Sequence, residues 1–510
     1  MEYNATADLI ERNLVPGRAS KLAIIEDGGR QFTYAQLSER INRAGNALDR
    51  LGLQMEQRIL LVLQDTADFP TVFWAAIKIG AVPVPVNTLL TPSDYDFFLR
   101  DSRARVLVVS RGLLDKVEPV LARQPFLQHT IVSGGSAEGY PSLESLLEDA
   151  SEYLDAAPTT ADDVAFWLYS SGSTGAPKGA MHLHQSLART AELYGQGVLG
   201  IREDDVVFSA AKLFFAYGLG NAMTFPFSVG ATSILLVERP TPASVMRAHR
   251  EHQPSIFYGV PTLFASLLAD PQNGPQNGSP RLRACVSAGE PLPRDIGERW
   301  KARFGVDILD GLGSTEMLHI FLSNRPGDVH YGSTGKPVPG YELAIVDDDD
   351  RPVPEGELGE LKVSGPSSAI GYWNNRARSV RTFRGPWTFT GDKYRRDERG
   401  DYVYCGRGDD MMKVSGLWVS PAEVEAALVG HPSVLEAAVV GREDEHGLVK
   451  PKAFVVVRPG VDTSPALVEE LQRFVKERLA PFKYPRWIEF LDALPKTATG
   501  KIQRFKLRGR

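Results

Sequence analysis

The sequence predicts a layered α/β protein in two parts: a large N-terminal domain over residues 1–408, ending in a β-rich subdomain, and a small C-terminal α/β domain over residues 409–510. Three observations carry this. Apolar strand-like runs alternate with amphipathic helices in the first 110 residues and again past residue 250. Between about 325 and 408 the texture changes to short extended pieces separated by Gly, Pro and Asp. After the turn Gly406-Arg407-Gly408-Asp409-Asp410 the alternation of strand and helix resumes for about a hundred residues.

The first helix is readable between Phe32 and Gly52. Thr33 and Gln36 form a capping box, Leu37, Ile41, Ala44 and Leu48 fall at helical spacing, and Gly52 supplies the stop. An apolar run from Ile59 to Leu63, a helical stretch ending at Gly80, the extended Val82 to Val86 and the strand-like Val106 to Val109 complete the first alternating unit. Gly356 to Val363 typifies the β-rich part. In the last part, a helix from Pro421 to Val429, apolar strands at Val434 to Val440 and Ala453 to Val457, and a helix ending near Leu479 are expected.

At 510 residues and 43% hydrophobic content the chain can bury a large core. Its formal charge of -6 lacks the concentrated basic field that a nucleic acid requires, so that partner is not expected. Cys285 and Cys405 have neither disulfide nor metal spacing. Met1 to Leu14 lacks the pattern of a signal peptide, and no apolar run reaches membrane-spanning length, so a cytoplasmic protein that does not engage membranes is expected.

The strongest chemical signal is Tyr169-Ser170-Ser171-Gly172-Ser173-Thr174-Gly175-Ala176-Pro177-Lys178-Gly179, which follows the strand-like Val164 to Leu168. Its glycines allow backbone N–H groups to turn inward as an anion nest, its hydroxyls add donors, and Lys178 adds charge suited to polyphosphate. No Gly-Lys-Ser/Thr closes it, so it is not a Walker loop. Ser-Gly-Ser alone would better suit a surface turn; the Pro-Lys-Gly tail and the preceding strand favour the phosphate loop.

This loop resembles the signature of the acyl-adenylate-forming superfamily of acyl-CoA synthetases, adenylation domains and luciferases. The later motifs fit the resemblance in order. Asp310-Gly311-Leu312-Gly313-Ser314-Thr315-Glu316 places a hydroxyl and a carboxylate after a Gly-rich bend. The resemblance implies that Thr315 contacts the α-phosphate and Glu316 holds Mg²⁺, although the same residues could cap a helix. Ser287 to Leu292, with Ala288, Gly289 and Glu290, is similar to the adenine-contacting segment and could also be a plain turn. Asp392, in Phe389-Thr390-Gly391-Asp392, and Arg407 match the pair that binds ribose hydroxyls.

By the same resemblance Asp409 is the hinge about which a mobile C-terminal domain rotates, and Lys501, in Pro495-Lys496-Thr497-Ala498-Thr499-Gly500-Lys501-Ile502, is the catalytic lysine. Lys501 would stabilise charge between the attacking carboxylate and the α-phosphate. Ser415, Gly416 and Trp418, between the hinge and a Ser420-capped helix, would face coenzyme A after the rotation. The implied co-substrates are ATP with Mg²⁺ and coenzyme A.

The acid is expected beside Lys212-Leu213-Phe214-Phe215-Ala216-Tyr217-Gly218-Leu219-Gly220 and the residues after Glu316, where aromatic and small side chains suit a flat ring. These two segments look like benzoate-CoA ligases rather than acetate or fatty-acid enzymes. Ala216, Tyr217, Gly218, Leu312 and His319 are expected around the ring, with Tyr217 or His319 able to hydrogen-bond a substituent or the carboxylate. A free-standing adenylation enzyme that loads an aryl acid onto a carrier protein is the alternative, and the ending ten residues after Gly500 speaks against it. A scaffold with a degenerate nucleotide site would lack some of Lys178, Glu316, Asp392, Arg407 and Lys501, and all are present. The ring substituents and the oligomeric state, for which a homodimer is one option, are left open.

Overall fold

The computed structural model describes residues 2–172, 175–408, 410–414, 417–445, 448–496 and 502–508, with the side chains at 171, 172, 175, 176 and 418 left aside. The capping box forms as the sequence requires. Thr33 Oγ1 accepts from the Gln36 N–H at 3.2 Å and Gln36 Oε1 from the Thr33 N–H at 2.9 Å, opening the helix Tyr34–Arg50. Its buried face of Leu37, Ile41, Ala44 and Leu48 packs against the helix Asp68–Lys78, which carries the fully buried Phe69, Phe73 and Trp74.

These helices cover two parallel sheets. The smaller contains, in spatial order, Val82–Pro85, Arg58–Val62, Val106–Ser110 and His129–Ser133, all parallel. The larger is nine-stranded, and its central strands, Ile308–Gly313, Ala284–Ala288, Ile256–Gly259, Val206–Ser209, Thr232–Leu235 and Leu22–Glu26, run parallel. Antiparallel strands Ile320–Ser323, Lys336–Pro337 and Gln31–Thr33 finish its edges. Such strands are buried on both faces, which is why they read as short continuous apolar runs.

Beside the Val82–Pro85 strand of the smaller sheet stands a hairpin, Val164–Gly172 with Gly175–Leu183. The Gly-rich segment therefore lies largely on the two paired strands of a β-hairpin, and the segment after it continues as a strand. The β-rich subdomain pairs Glu342–Val346, Gly359–Ser364, Trp387–Arg396, Phe383–Arg384 and Tyr402–Arg407.

From Met412 onward the chain builds apolar clusters largely of its own. The strands Val434–Glu443, Val449–Val457 and Trp487–Phe490 form one sheet, covered by the helices Pro421–Val429 and Pro465–Lys476. Ser420 caps the first of these helices. Among the described residues no helix is long and apolar enough to cross a membrane. Removing the Thr33 hydroxyl by Thr33→Ala is expected to cost about 1 kcal/mol. Urea unfolding followed by circular dichroism reads this, and Thr33→Ser is expected to restore most of it.

Candidate functional site

The hairpin brings Ser170 and Lys178 opposite one another in register. Both side chains reach Glu316, which lies in the turn between Ile308–Gly313 and Ile320–Ser323. Ser170 Oγ donates to Glu316 Oε1 at 3.3 Å, and Lys178 Nζ lies 3.7 Å from the same oxygen. A third group, which the sequence did not reveal, is Tyr372: its hydroxyl donates to Glu316 Oε1 at 2.7 Å and accepts from Lys178 Nζ at 3.1 Å.

Burial pushes the Glu316 carboxyl upward, but the Lys178 ammonium and the Tyr372 hydroxyl outweigh it, and the group sits below the ordinary carboxylate range. Lys178 is lowered, first by burial and then by the neighbouring charges of Arg378 and Arg407, against the pull of Glu316. The site is a half-buried carboxylate amid an excess of cations, an electrostatic setting suited to a polyphosphate.

The turn that carries Thr315 and Glu316 is not a helix start. Ser314 Oγ accepts from the Met317 N–H at 3.2 Å, and Leu318 adopts a left-handed φ of 67°. The chain then reverses into Ile320–Ser323, whose Leu322 lies opposite Leu312. A second residue absent from the sequence reading holds this turn: His182 Nε2 bonds the Thr315 carbonyl at 2.8 Å. Burial lowers His182 to about 4, so the ring is neutral and Nε2 carries the proton it donates.

Ser287 and Ala288 lie beside Asp310 and Gly311 in parallel register, so the segment Ala288-Gly289-Glu290 leaves the sheet at the same edge as the turn. Ligand sites in open α/β sheets form at this carboxyl edge of the strands. Asp310 is buried, and burial raises its carboxyl to about 8 against N–H bonds from Leu292 and Gly311. Glu290 Oε1 accepts the Ile502 N–H at 2.9 Å, which brings the end of the C-terminal segment to the same edge.

In the β-rich subdomain Asp392 and Arg407 are direct cross-strand partners. Arg407 Nη1 donates to Asp392 Oδ1 at 3.1 Å and to the Thr390 carbonyl at 3.0 Å, orienting both groups.

The expected acid pocket is aromatic. Tyr217 begins in the helix Ala216–Leu219, and its hydroxyl donates to the carbonyls of Val286 at 3.0 Å and Gly259 at 3.3 Å, so its proton is engaged by strand ends. His319 lies 5.6 Å from Tyr217, 5.6 Å from Tyr194 and 4.4 Å from Phe225, ring to ring. Its Nε2 faces the Asn221 Oδ1 at 3.1 Å and the Tyr217 carbonyl at 3.3 Å. Burial lowers the imidazole to about 3. It is therefore neutral, with the proton on Nε2 between two acceptors and the lone pair on a buried Nδ1 that meets no partner among the described residues.

Two glycines allow this packing. A Cβ at Gly220 would stand 2.3 Å from His319 Cδ2, and one at Gly218 would stand 2.1 Å from the Lys212 carbonyl oxygen. Tyr217 and Leu312 pack against one apolar cluster with Tyr194, Phe225 and Met317, whereas Ala216 packs against another with Phe214 and Leu318. Ser173, Thr174, Asp409, Ser415, Gly416 and Lys501, and the side chains of Ser171, Gly172, Gly175 and Trp418, lie outside the described residues.

A family model described as "AMP-binding enzyme" matches residues 12–373, and one described as "AMP-binding enzyme C-terminal domain" matches residues 423–501. The chain is 61% identical to a benzoate–CoA ligase of Thauera aromatica over 508 residues, covering 99% of this chain and 96% of that one. A crystal structure of a benzoate CoA ligase from Burkholderia xenovorans LB400 is 53% identical, with a TM-score of 0.93 and coverage of 99% of this chain and 100% of that one. That of the anthranilate CoA ligase AuaEII in complex with anthranoyl-AMP is 46% identical, with a TM-score of 0.96 and coverage of 100% and 97%. With family models matching most of its length and a relative this similar from end to end, the chain belongs to the AMP-binding enzyme family.

Proposed function

We propose that this chain is an AMP-forming acid–CoA ligase that joins an aromatic carboxylic acid, benzoate or a substituted benzoate, to coenzyme A through an acyl-adenylate. The observation that carries this reading is a cluster of aromatic rings around His319, near the cation-rich Lys178–Glu316 site, in a chain alike along its whole length to a benzoate–CoA ligase. Loading of a carrier protein is the lesser reading, because the relatives reported above are CoA ligases.

In the first half-reaction the carboxylate oxygen attacks the α-phosphorus of ATP, an O–P bond forms and pyrophosphate leaves. Lys178, Ser170 and the Gly-rich tip, with Ser171, Gly172, Ser173, Thr174 and Gly175, hold the phosphates. Thr315 contacts the α-phosphate, Ala288, Gly289, Glu290, Asp310 and Gly311 line the adenine side, and Asp392 and Arg407 take the ribose. Lys501 stabilises charge on the α-phosphate. In the second half-reaction the CoA thiol loses its proton and attacks the acyl carbonyl, a C–S bond forms and AMP leaves. Residues 409–510 turn about Asp409 between the steps, presenting Ser415, Gly416 and Trp418 to coenzyme A.

Mg²⁺ fits the donor set. Among the described residues the three side-chain contacts of Glu316 fall on Oε1, and one or two carboxylates plus phosphate oxygens and waters is the usual ligand set of this ion. Among the described residues the other candidate, Asp27 with Glu251 and His252, already pairs Asp27 with Arg247 and His252. Bound through Glu316, the ion would neutralise phosphate charge. Soluble small molecules in the cytoplasm are the proposed partners, with a homodimer as the oligomer to test.

Pyrophosphate release is expected with benzoates and not with acetate or long-chain acids; a preference for either of the latter would overturn the aromatic assignment. Lys501→Ala is expected to lose on the order of 10²-fold or more in adenylation, as for removal of an oxyanion donor, while sparing thioester formation from supplied acyl-adenylate. Equal loss in both steps would refute its role. Gly220→Ala, which crowds His319, is expected to raise KM for the acid about tenfold or more, as overpacking does. KM for ATP, measured in parallel, should stay unchanged.

A further inference from the structure

Tyr372 belongs to none of the motifs that the sequence singles out, yet it touches both charged groups of the phosphate site. Its hydroxyl stands between Glu316 Oε1 and Lys178 Nζ, and the ammonium lies 4.5 Å from the centre of its ring. The residue is only 4% exposed. Burial and the adjoining carboxylate push its phenol well above the ordinary value, so the proton it donates stays in place.

Its position is fixed through the main chain. The Met181 N–H donates to the Gly371 carbonyl at 3.0 Å and the Trp373 N–H to the Gly179 carbonyl at 2.8 Å, so residues 369–373 run along the outer edge of the strand that carries Lys178. The Ala369 N–H bonds the Glu316 carbonyl at 2.7 Å, and the Tyr372 N–H bonds Ser379 Oγ at 2.9 Å. One short segment is thus tied to the backbone of Glu316 and to the strand of Lys178.

We infer that Tyr372 is a positioning residue for adenylation, one that keeps the Lys178 ammonium and the Glu316 carboxylate from closing on each other. Opposite charges shielded from water attract strongly, and at 3.7 Å these two stop short of a close ion pair. A direct pair would withdraw Lys178 from phosphate and hold the Glu316 carboxylate against the ammonium. The tyrosine gives the carboxylate a neutral donor that need not be surrendered when ATP arrives. It also gives the ammonium a ring face and a hydroxyl that it can leave without stranding a charge.

This inference rests on the reading of the site as an ATP site, and its test separates the two. Tyr372→Phe keeps the ring and removes the hydroxyl. Calorimetric binding of Mg·ATP, which needs no acid substrate, is expected to weaken about tenfold, the scale of one hydrogen bond to a charged group. KM for ATP should rise with it, while KM for benzoate and thioester formation from supplied benzoyl-adenylate stay unchanged. In a Glu316→Gln background the same substitution is expected to change ATP affinity by less than about twofold, because the effect passes through the carboxylate. Unchanged ATP affinity in Tyr372→Phe, additive losses in the double variant, or equal falls in both half-reactions would each overturn the inference. Wild-type protein that binds Mg·ATP but releases no pyrophosphate with benzoate would instead overturn the proposed substrate.

Discussion

Glu316 is a carboxylate largely withdrawn from water, and cations and donors held against it favour its ionised form. The three that meet it come from sequence positions far apart: Ser170 and Lys178 from two strands of the hairpin and Tyr372 from the segment leading into the β-rich subdomain. The turn beneath it depends on the same hairpin, since His182 holds the Thr315 carbonyl and stacks on Phe166 at 5.2 Å. Phe166 in turn packs on Phe73 of the core helix at 5.5 Å. The contacts that keep one charge in place are therefore continuous with those that join the hairpin to the hydrophobic core, and the site cannot loosen without the fold.

The parallel strands supply the second condition. Ile256–Gly259, Ala284–Ala288 and Ile308–Gly313 end together, and the Tyr217 hydroxyl is bonded to carbonyls near two of these ends. The aromatic cluster of Tyr217 and the segments proposed for adenine thus share one edge of one sheet. A reaction that joins a carboxylate to an α-phosphate needs its reactants held at close range in fixed orientation, and a common rigid edge provides that more precisely than two separate loops.

Much of the architecture was legible because it is local. The capping box at Thr33 and Gln36 and the helix Pro421–Val429 behind Ser420 depend on residues within a few positions of each other, and the structure has them where the sequence places them. The Gly-rich segment was legible as a turn but not as a hairpin, because Lys178 to Leu183 gains its strand character by pairing back on Val164–Gly172. Tyr372 and His182 were not legible at all. Their partners lie 56, 194 and 133 residues away, and an aromatic after Gly371 reads from sequence as ordinary core. Ala216 and Tyr217 show the same limit on a small scale: adjacent in sequence, they pack against different clusters.

If the aromatic acid binds beside His319, as proposed, the state of this imidazole bears on how acids are told apart. A protonated imidazole would demand a counter-charge, but burial keeps this ring neutral and its Nε2 proton is committed to Asn221 and the Tyr217 carbonyl. What remains is an acceptor, Nδ1, buried without a partner among the described residues. An unsubstituted ring would leave that acceptor as it already stands and add no new cost. A donor substituent able to reach it would gain a hydrogen bond, and an apolar substituent would be judged by volume alone, at about 1–3 kcal/mol per methylene. Close packing of Gly220 against His319 leaves no room for a side chain there. Under the proposed binding mode, selection would rest first on ring shape and second on polarity, and contacts of that kind are finer than any sequence motif.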